Sequence, residues 1–131
     1  MAGASAYLEN KILDHLTGKG AYSAPATLNV ALYTATPSDT GGGTEVSGNG
    51  YARVSTVTAD WNTASAGAVN NANDIAFPTA TGNWGTVTHF GLFDATTAGN
   101  LLFWGALTVS KQVSADDQLK FLAGNLTLDP D

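Results

Sequence analysis

The apolar positions of this chain change period once. Leu8, Ile12, Leu13 and Leu16 recur at i, i+4, i+5 and i+8 with Glu9, Asn10, Lys11 and Asp14 polar between them, which predicts a short amphipathic helix over residues 5–18. Ser5 is placed as its N-cap, Gly18 or Gly20 as its stop, and Lys19 where a cation favours the negative end of the helix dipole. Beyond the helix the period falls to two. Thr27–Thr34 alternates, with Leu28, Val30 and Leu32 on one face and Thr27, Asn29, Ala31 and Tyr33 on the other.

Further strands are expected over residues 51–59, 69–77, 86–94, 101–109 and 119–128, separated by Gly, Pro, Asn and Asp. The run Asp94-Ala-Thr-Thr-Ala-Gly-Asn100 reads as a hairpin connection that pairs 86–94 with 101–109 antiparallel. Residues 36–50 hold five glycines and no apolar period, so they are expected to form a long mobile loop or arm. The pattern predicts a mainly β chain: one antiparallel, jelly-roll-like β-sandwich with a single short N-terminal amphipathic helix. No internal repeat points to a propeller or solenoid.

The segment from Phe77 to Asp94 spaces Phe77, Trp84, Phe90 and Phe93 with Gly82, Gly85 and Gly91, a chemistry of large rigid surfaces and close backbone approach. With Phe103 and Trp104 and the helix stripe Leu8, Ile12 and Leu16, these aromatics are the candidates for core or subunit packing.

Composition sharpens that picture. Only 12% of residues are charged, about half the usual share. A weakly charged exterior suits a protein covered by copies of itself or by a larger assembly, because charge is depleted from interface cores. A net charge of -6 with five basic residues argues against phosphate-backbone binding, so nucleic acid is not an expected partner. The absence of cysteine excludes disulfides and thiolate metal sites. No run approaches the roughly 20 apolar residues that span a bilayer, and the first residues lack a basic leader, so no membrane partner and synthesis in the cytosol are expected.

Candidate chemistry is sparse. His15 and His89 have no second histidine or carboxylate at ligand spacing. His15 reads as a surface histidine in the last helical turns and His89 as a packed or interface residue. The acids are scattered, Asp116-Asp117 reads as a turn, and no spacing matches an EF-hand. There is no Gly-x-Ser-x-Gly elbow, and Gly41-Gly42-Gly43 is not followed by Lys-Ser/Thr as a phosphate loop requires. Tyr51, Trp61, Trp84 and Trp104 could line a sugar-stacking groove, with core packing the competing reading. Neither catalysis nor a cofactor or metal is expected.

Several stretches, taken in order, carry a resemblance: Leu8-Glu-Asn-Lys-Ile-Leu-Asp-His15, Tyr22-Ser-Ala-Pro-Ala-Thr-Leu-Asn-Val-Ala-Leu-Tyr-Thr34, Glu45-Val-Ser-Gly-Asn-Gly-Tyr-Ala-Arg53, Phe77-Pro-Thr-Ala-Thr, Trp84-Gly-Thr-Val-Thr-His-Phe-Gly-Leu-Phe-Asp94 and Asn100-Leu-Leu-Phe-Trp-Gly-Ala-Leu107. Together they resemble small virion proteins of tailed phages, described as tail fibre-like and similar also to head decoration or cement subunits. The resemblance implies a non-enzymatic structural subunit, made in the infected bacterium's cytoplasm and carried in the virion.

The first functional expectation is a capsid decoration protein, most simply a homotrimer, that binds the major capsid protein at the head's outer face. In that role Asp39, Thr44, Glu45, Val46 and Asn49 of the glycine-rich segment are the candidate shell contacts. The alternatives are a tail fibre-like or baseplate accessory protein bound to tail proteins, and a carbohydrate-binding adsorption module. A fibre that recognises a host usually carries a long trimeric shaft, and this sequence has neither heptads nor fibrous repeats.

Overall fold

The computed structural model describes residues 3–129. Strands β1 (Gly3–Ala4), β2 (Leu28–Ala35), β3 (Thr44–Glu45), β4 (Val54–Thr56), β7 (Gly85–Phe93) and β8 (Leu101–Val113) form one antiparallel sheet in the order β1-β8-β7-β2-β3, with β4 also on β2. Two small ribbons, β5 (Val69–Asn70) with β10 (Thr127–Leu128) and β6 (Ile75–Ala76) with β9 (Lys120–Phe121), make up the rest. The fold is therefore mainly β and antiparallel, with one helix, α1 (Ala6–Thr17), near the N-terminus.

Alternation in β2 splits the interior in two. Val30 and Leu32 lie opposite Leu92 and Phe90 of β7, and those two face Phe103 and Gly105 of β8. On this side Ile75, Phe77, Leu119 and Leu126 from the ribbon segments pack down as a second layer and close the main core. On the other face of the alternation, Asn29, Ala31 and Tyr33 are buried as well. Ala31 and Tyr33 join Phe93, Leu101 and Trp104 in a smaller cluster on the opposite side of the sheet. Asn29 tolerates burial because its amide donates to the Phe93 carbonyl and its oxygen accepts from Ser55 Oγ at 2.6 Å.

The helix runs within a residue of its expected bounds. Ser5 Oγ accepts the Leu8 backbone N–H at 3.1 Å, and Gly18, at φ 81°, closes the C-terminus with its N–H on the Asp14 and His15 carbonyls. The 94–100 hairpin also forms as expected. Asp94 takes the Asn100 backbone N–H on one oxygen at 2.7 Å and the Asn100 amide on the other at 2.9 Å. Burial would raise the Asp94 pKa, but these hydrogen bonds outweigh it and hold the carboxyl below its usual range.

Three expected strands come out differently. Of 51–59 only β4 is strand, because the Asp60 carboxylate accepts the Val57 N–H and turns the chain into a 3-10 helix at Thr58–Asp60. The 69–77 and 119–128 runs each break into two short pieces around Asn71, which is fully buried. Its amide donates to the Asn73 and Leu122 carbonyls at 2.9 and 3.0 Å, and its oxygen accepts the Leu126 N–H at 2.9 Å. One side chain thus replaces the ladder that would have joined these segments.

Strand β8 extends four residues past its expected end at 109. Its pairing jumps from His89↔Ala106 to Val87↔Lys111, so Leu107–Ser110 bulge out of the ladder with β7.

Candidate functional site

The glycine-rich segment 36–50 was expected to be mobile, but much of it is tied to the body. Strand β3 pairs with β2, and Val46 is 5% exposed in the main core, where its N–H reaches the Leu32 carbonyl. Glu45 and Arg53, the two ends of one of the quoted stretches, form a bidentate ion pair: Nε to Oε2 and Nη2 to Oε1, both at 2.9 Å. Tyr51 joins the pair by donating to Glu45 Oε2 at 2.7 Å while its hydroxyl accepts the Leu32 N–H.

Arg53 also donates to the Ala95 and Ala98 carbonyls, and its guanidinium sits 3.7 Å from the centre of the Phe93 ring. The network clamps the loop, β2, β4 and the 94–100 hairpin to one another. Burial alone would raise the Glu45 pKa, but the Arg53 and Tyr51 hydrogen bonds outweigh it and hold the carboxyl low. Tyr51 is pushed well above its ordinary value by burial and by the Glu45 bond. Tyr33 rises to about 12, through burial and the nearby Glu45 charge.

The candidate shell contacts divide: Asp39, Thr44 and Asn49 are exposed, Glu45 is half-buried and Val46 is buried. Asp39 Oδ1 accepts the Trp104 indole N–H at 3.0 Å, and its carbonyl accepts the Ala6 N–H at the start of α1. The Asn49 carbonyl takes the Trp84 indole N–H at 2.9 Å, and its amide reaches the Asn83 carbonyl. Glu45 is in the ion pair and Val46 in the core. Thr44 lies on β3, and the exposed positions around it include Thr40, Gly42, Gly43 and Ser47.

The packing candidates divide. Trp84, Phe90 and Phe103 belong to the main core and Phe93 and Trp104 to the smaller cluster, all at 8% exposure or less. In the helix stripe, Leu8 packs partly against the main core, while Ile12 and Leu16 are 50 and 78% exposed. The stripe is real, but the body covers only its first turn.

Tyr51, Trp61, Trp84 and Trp104 do not converge on a groove. Tyr51 lies edge-on to Trp84 at 5.4 Å on the main-core side, and Trp61 donates to Thr56 Oγ1 beside that core. Trp104 lies on the other side of the sheet. His15 accepts the Tyr22 N–H at 3.1 Å through Nδ1. His89 is half-buried, with Thr88 Oγ1 at 2.8 Å from Nδ1 and the Trp104 ring beside it, and burial lowers its pKa.

Two concavities open on the surface. The larger, about 810 Å³, lies between the second half of β8 and residues 117–127, floored by Phe90, Leu119 and Leu126 with Lys111 and Lys120 among its walls. The smaller, about 390 Å³, is lined by Tyr7, Tyr33, Asp39, Phe93 and Asn100 among others. Among the described residues, no group of three or more His, Cys, Asp or Glu gathers where it could hold a metal, and no helix is long and apolar enough to cross a membrane. The residues that sequence reasoning missed are Arg53 and Asn71, both of which act by hydrogen bonds to segments distant in sequence.

A family model described as the podophage GP4 fiber I protein gp80 matches residues 3–129. No curated protein matches the chain.

Proposed function

The chain belongs to the Gp80 family of podophage GP4 fiber I proteins and is a structural part of the virion, and from that premise we propose that it is a subunit of a tail-attached fibre that acts by binding and not by catalysis. The observation that carries this reading is the extent of the family match, which takes in the helix, the sheet and both ribbons. The sequence has neither heptads nor fibrous repeats, so the subunit serves as a compact block within the fibre and not as its shaft. Its partners are then tail proteins and further copies of itself. Head decoration, the first expectation from the sequence, calls for the same sort of compact, weakly charged β domain but is not what the family description names.

The test is a cryo-EM reconstruction of the parent particle with this chain's copies located in the density. Copies confined to the tail, a few per particle, support the fibre role. Copies spread at regular positions over the icosahedral shell overturn it in favour of capsid decoration, with the major capsid protein as the partner.

A further inference from the structure

Two surfaces of the described chain expose large apolar side chains, one convex and one concave. The convex one is the outer side of α1, on which no residue of the helix is buried and Ile12, Leu13 and Leu16 are 50, 57 and 78% exposed. At 3.6 residues per turn these three fall within an arc of about 100°. Glu9 lies inside that arc, whereas Lys11 points to the far side and sits over the Tyr7 ring. The stripe therefore carries one negative charge and no positive one.

The concave surface is the larger groove, about 810 Å³, where Val109 and Leu122 stand 62 and 51% exposed over the floor. Two of the chain's five cations, Lys111 and Lys120, line it with one acid, Asp117, on a molecule of net charge -6. Among the described residues the ion pair formed is Arg53–Glu45, and neither lysine nor Glu9 is in an ion pair there. The β8 side of the groove is also an open sheet edge. Strand β1 pairs only with Phe103 and Trp104, and β8 runs on to Val113 beyond it. Proteins rarely leave such an edge uncovered in their working state.

We propose that helix α1 of one copy docks in the β8–β9 groove of a second copy, placing Ile12, Leu13 and Leu16 against Val109, Phe121 and Leu122 and Glu9 between Lys111 and Lys120. The occupant is a second copy because one chain carries both halves: an apolar stripe with a single acid, and a groove that exposes Val109 and Leu122 and carries two lysines against one acid. Each copy covers in its neighbour what it leaves open in itself, in the manner of an amphipathic helix laid in a groove. The contact joins two different surfaces, so it is either made twice about a two-fold axis or repeated head to tail, as a ring where the rotation closes and as a filament where it does not. It goes beyond the proposed fibre role and stands apart from it, since a subunit at any place in the particle could make it.

The experiment uses the purified full chain and light scattering after size exclusion, loaded at up to about 0.5 mM so that even a weak contact is populated. Wild type is expected to associate. The helix variant Leu13→Glu/Leu16→Glu and the groove variant Val109→Glu/Leu122→Glu are each expected to be monomeric with an unchanged circular dichroism spectrum. Mixed, they should form a one-to-one dimer, because the pair still holds one intact groove and one intact helix. Glu9→Lys should weaken association at least about tenfold, as reversing an interfacial charge does, and Lys111→Glu/Lys120→Glu in the partner should restore it. A monomeric wild type, a groove variant that associates as well as wild type, or a mixture that stays monomeric would each overturn the proposal. None of these outcomes bears on where the protein sits in the particle.

Discussion

Replacing Asn71 by alanine tests whether one buried amide holds the second layer to the body. The side chain is fully buried and bonds three segments of backbone. Its oxygen accepts the buried Leu126 N–H at 2.9 Å, and leaving that donor unpaired costs about 1–3 kcal/mol. Its amide donates to the Asn73 and Leu122 carbonyls at 2.9 and 3.0 Å, worth about 0.5–1.5 kcal/mol each. A water entering the vacated polar space would return part of this, so Asn71→Ala should cost about 3 kcal/mol. The assay is urea unfolding followed by tryptophan fluorescence, with Asn73→Ala as the control. Asn73 bonds the Ala59 carbonyl and Asp60 from an exposed position, and its removal should cost under about 1 kcal/mol. If Asn71→Ala is no more destabilising than Asn73→Ala, the hub role assigned to this amide is wrong.

Three further outcomes are expected. Phe90→Ala should cost about 3–5 kcal/mol in the same urea assay, because the ring is 4% exposed and packs against Phe103 and Phe121; a loss under about 1 kcal/mol would mean the core collapses around the deletion. Gly91→Ala should cost about 1–3 kcal/mol, since the added Cβ would lie 2.9 Å from Tyr33 Cε1 and 3.1 Å from Leu101 Cδ1 in the smaller cluster; a neutral result would show that cluster to be loosely packed. Stability should fall on acidification: the lowered pKa values of Glu45 and Asp94 make contributions complete above about pH 4.3 and lost as pH drops through the folded values, and the lowered His89 value adds a smaller loss below about pH 6.5. Urea midpoints measured from pH 7 to 3 check this, and Glu45→Gln should flatten the acid limb; a midpoint that rises towards pH 4 would refute the sign.

What could be read from the sequence follows the range of the forces involved. The α1 bounds and the 94–100 hairpin were legible because Ser5, Gly18, Asp94 and Asn100 act on backbone a few residues away. The main strands were legible because alternation is a local pattern with one cause. Asn71 was not: within Val-Asn-Asn-Ala-Asn-Asp it is one polar residue among several, and its partners Leu122 and Leu126 are some fifty positions on. Nor was the tying-down of the 36–50 segment, where glycine content suggests freedom and the β2–β3 pairing, the Glu45–Arg53 pair, Val46 and the tryptophan hydrogen bonds remove it.

The helix stripe is the reverse case. Periodicity identified Leu8, Ile12 and Leu16 as one apolar face but carried no information about what that face meets. In the folded chain only Leu8 finds the body, and Ile12 and Leu16 look outward. An amphipathic pattern that the monomer does not use is weak evidence about the monomer and stronger evidence about its surroundings. For a structural protein of a virion, built to be surrounded, that is where the unexplained apolar residues belong.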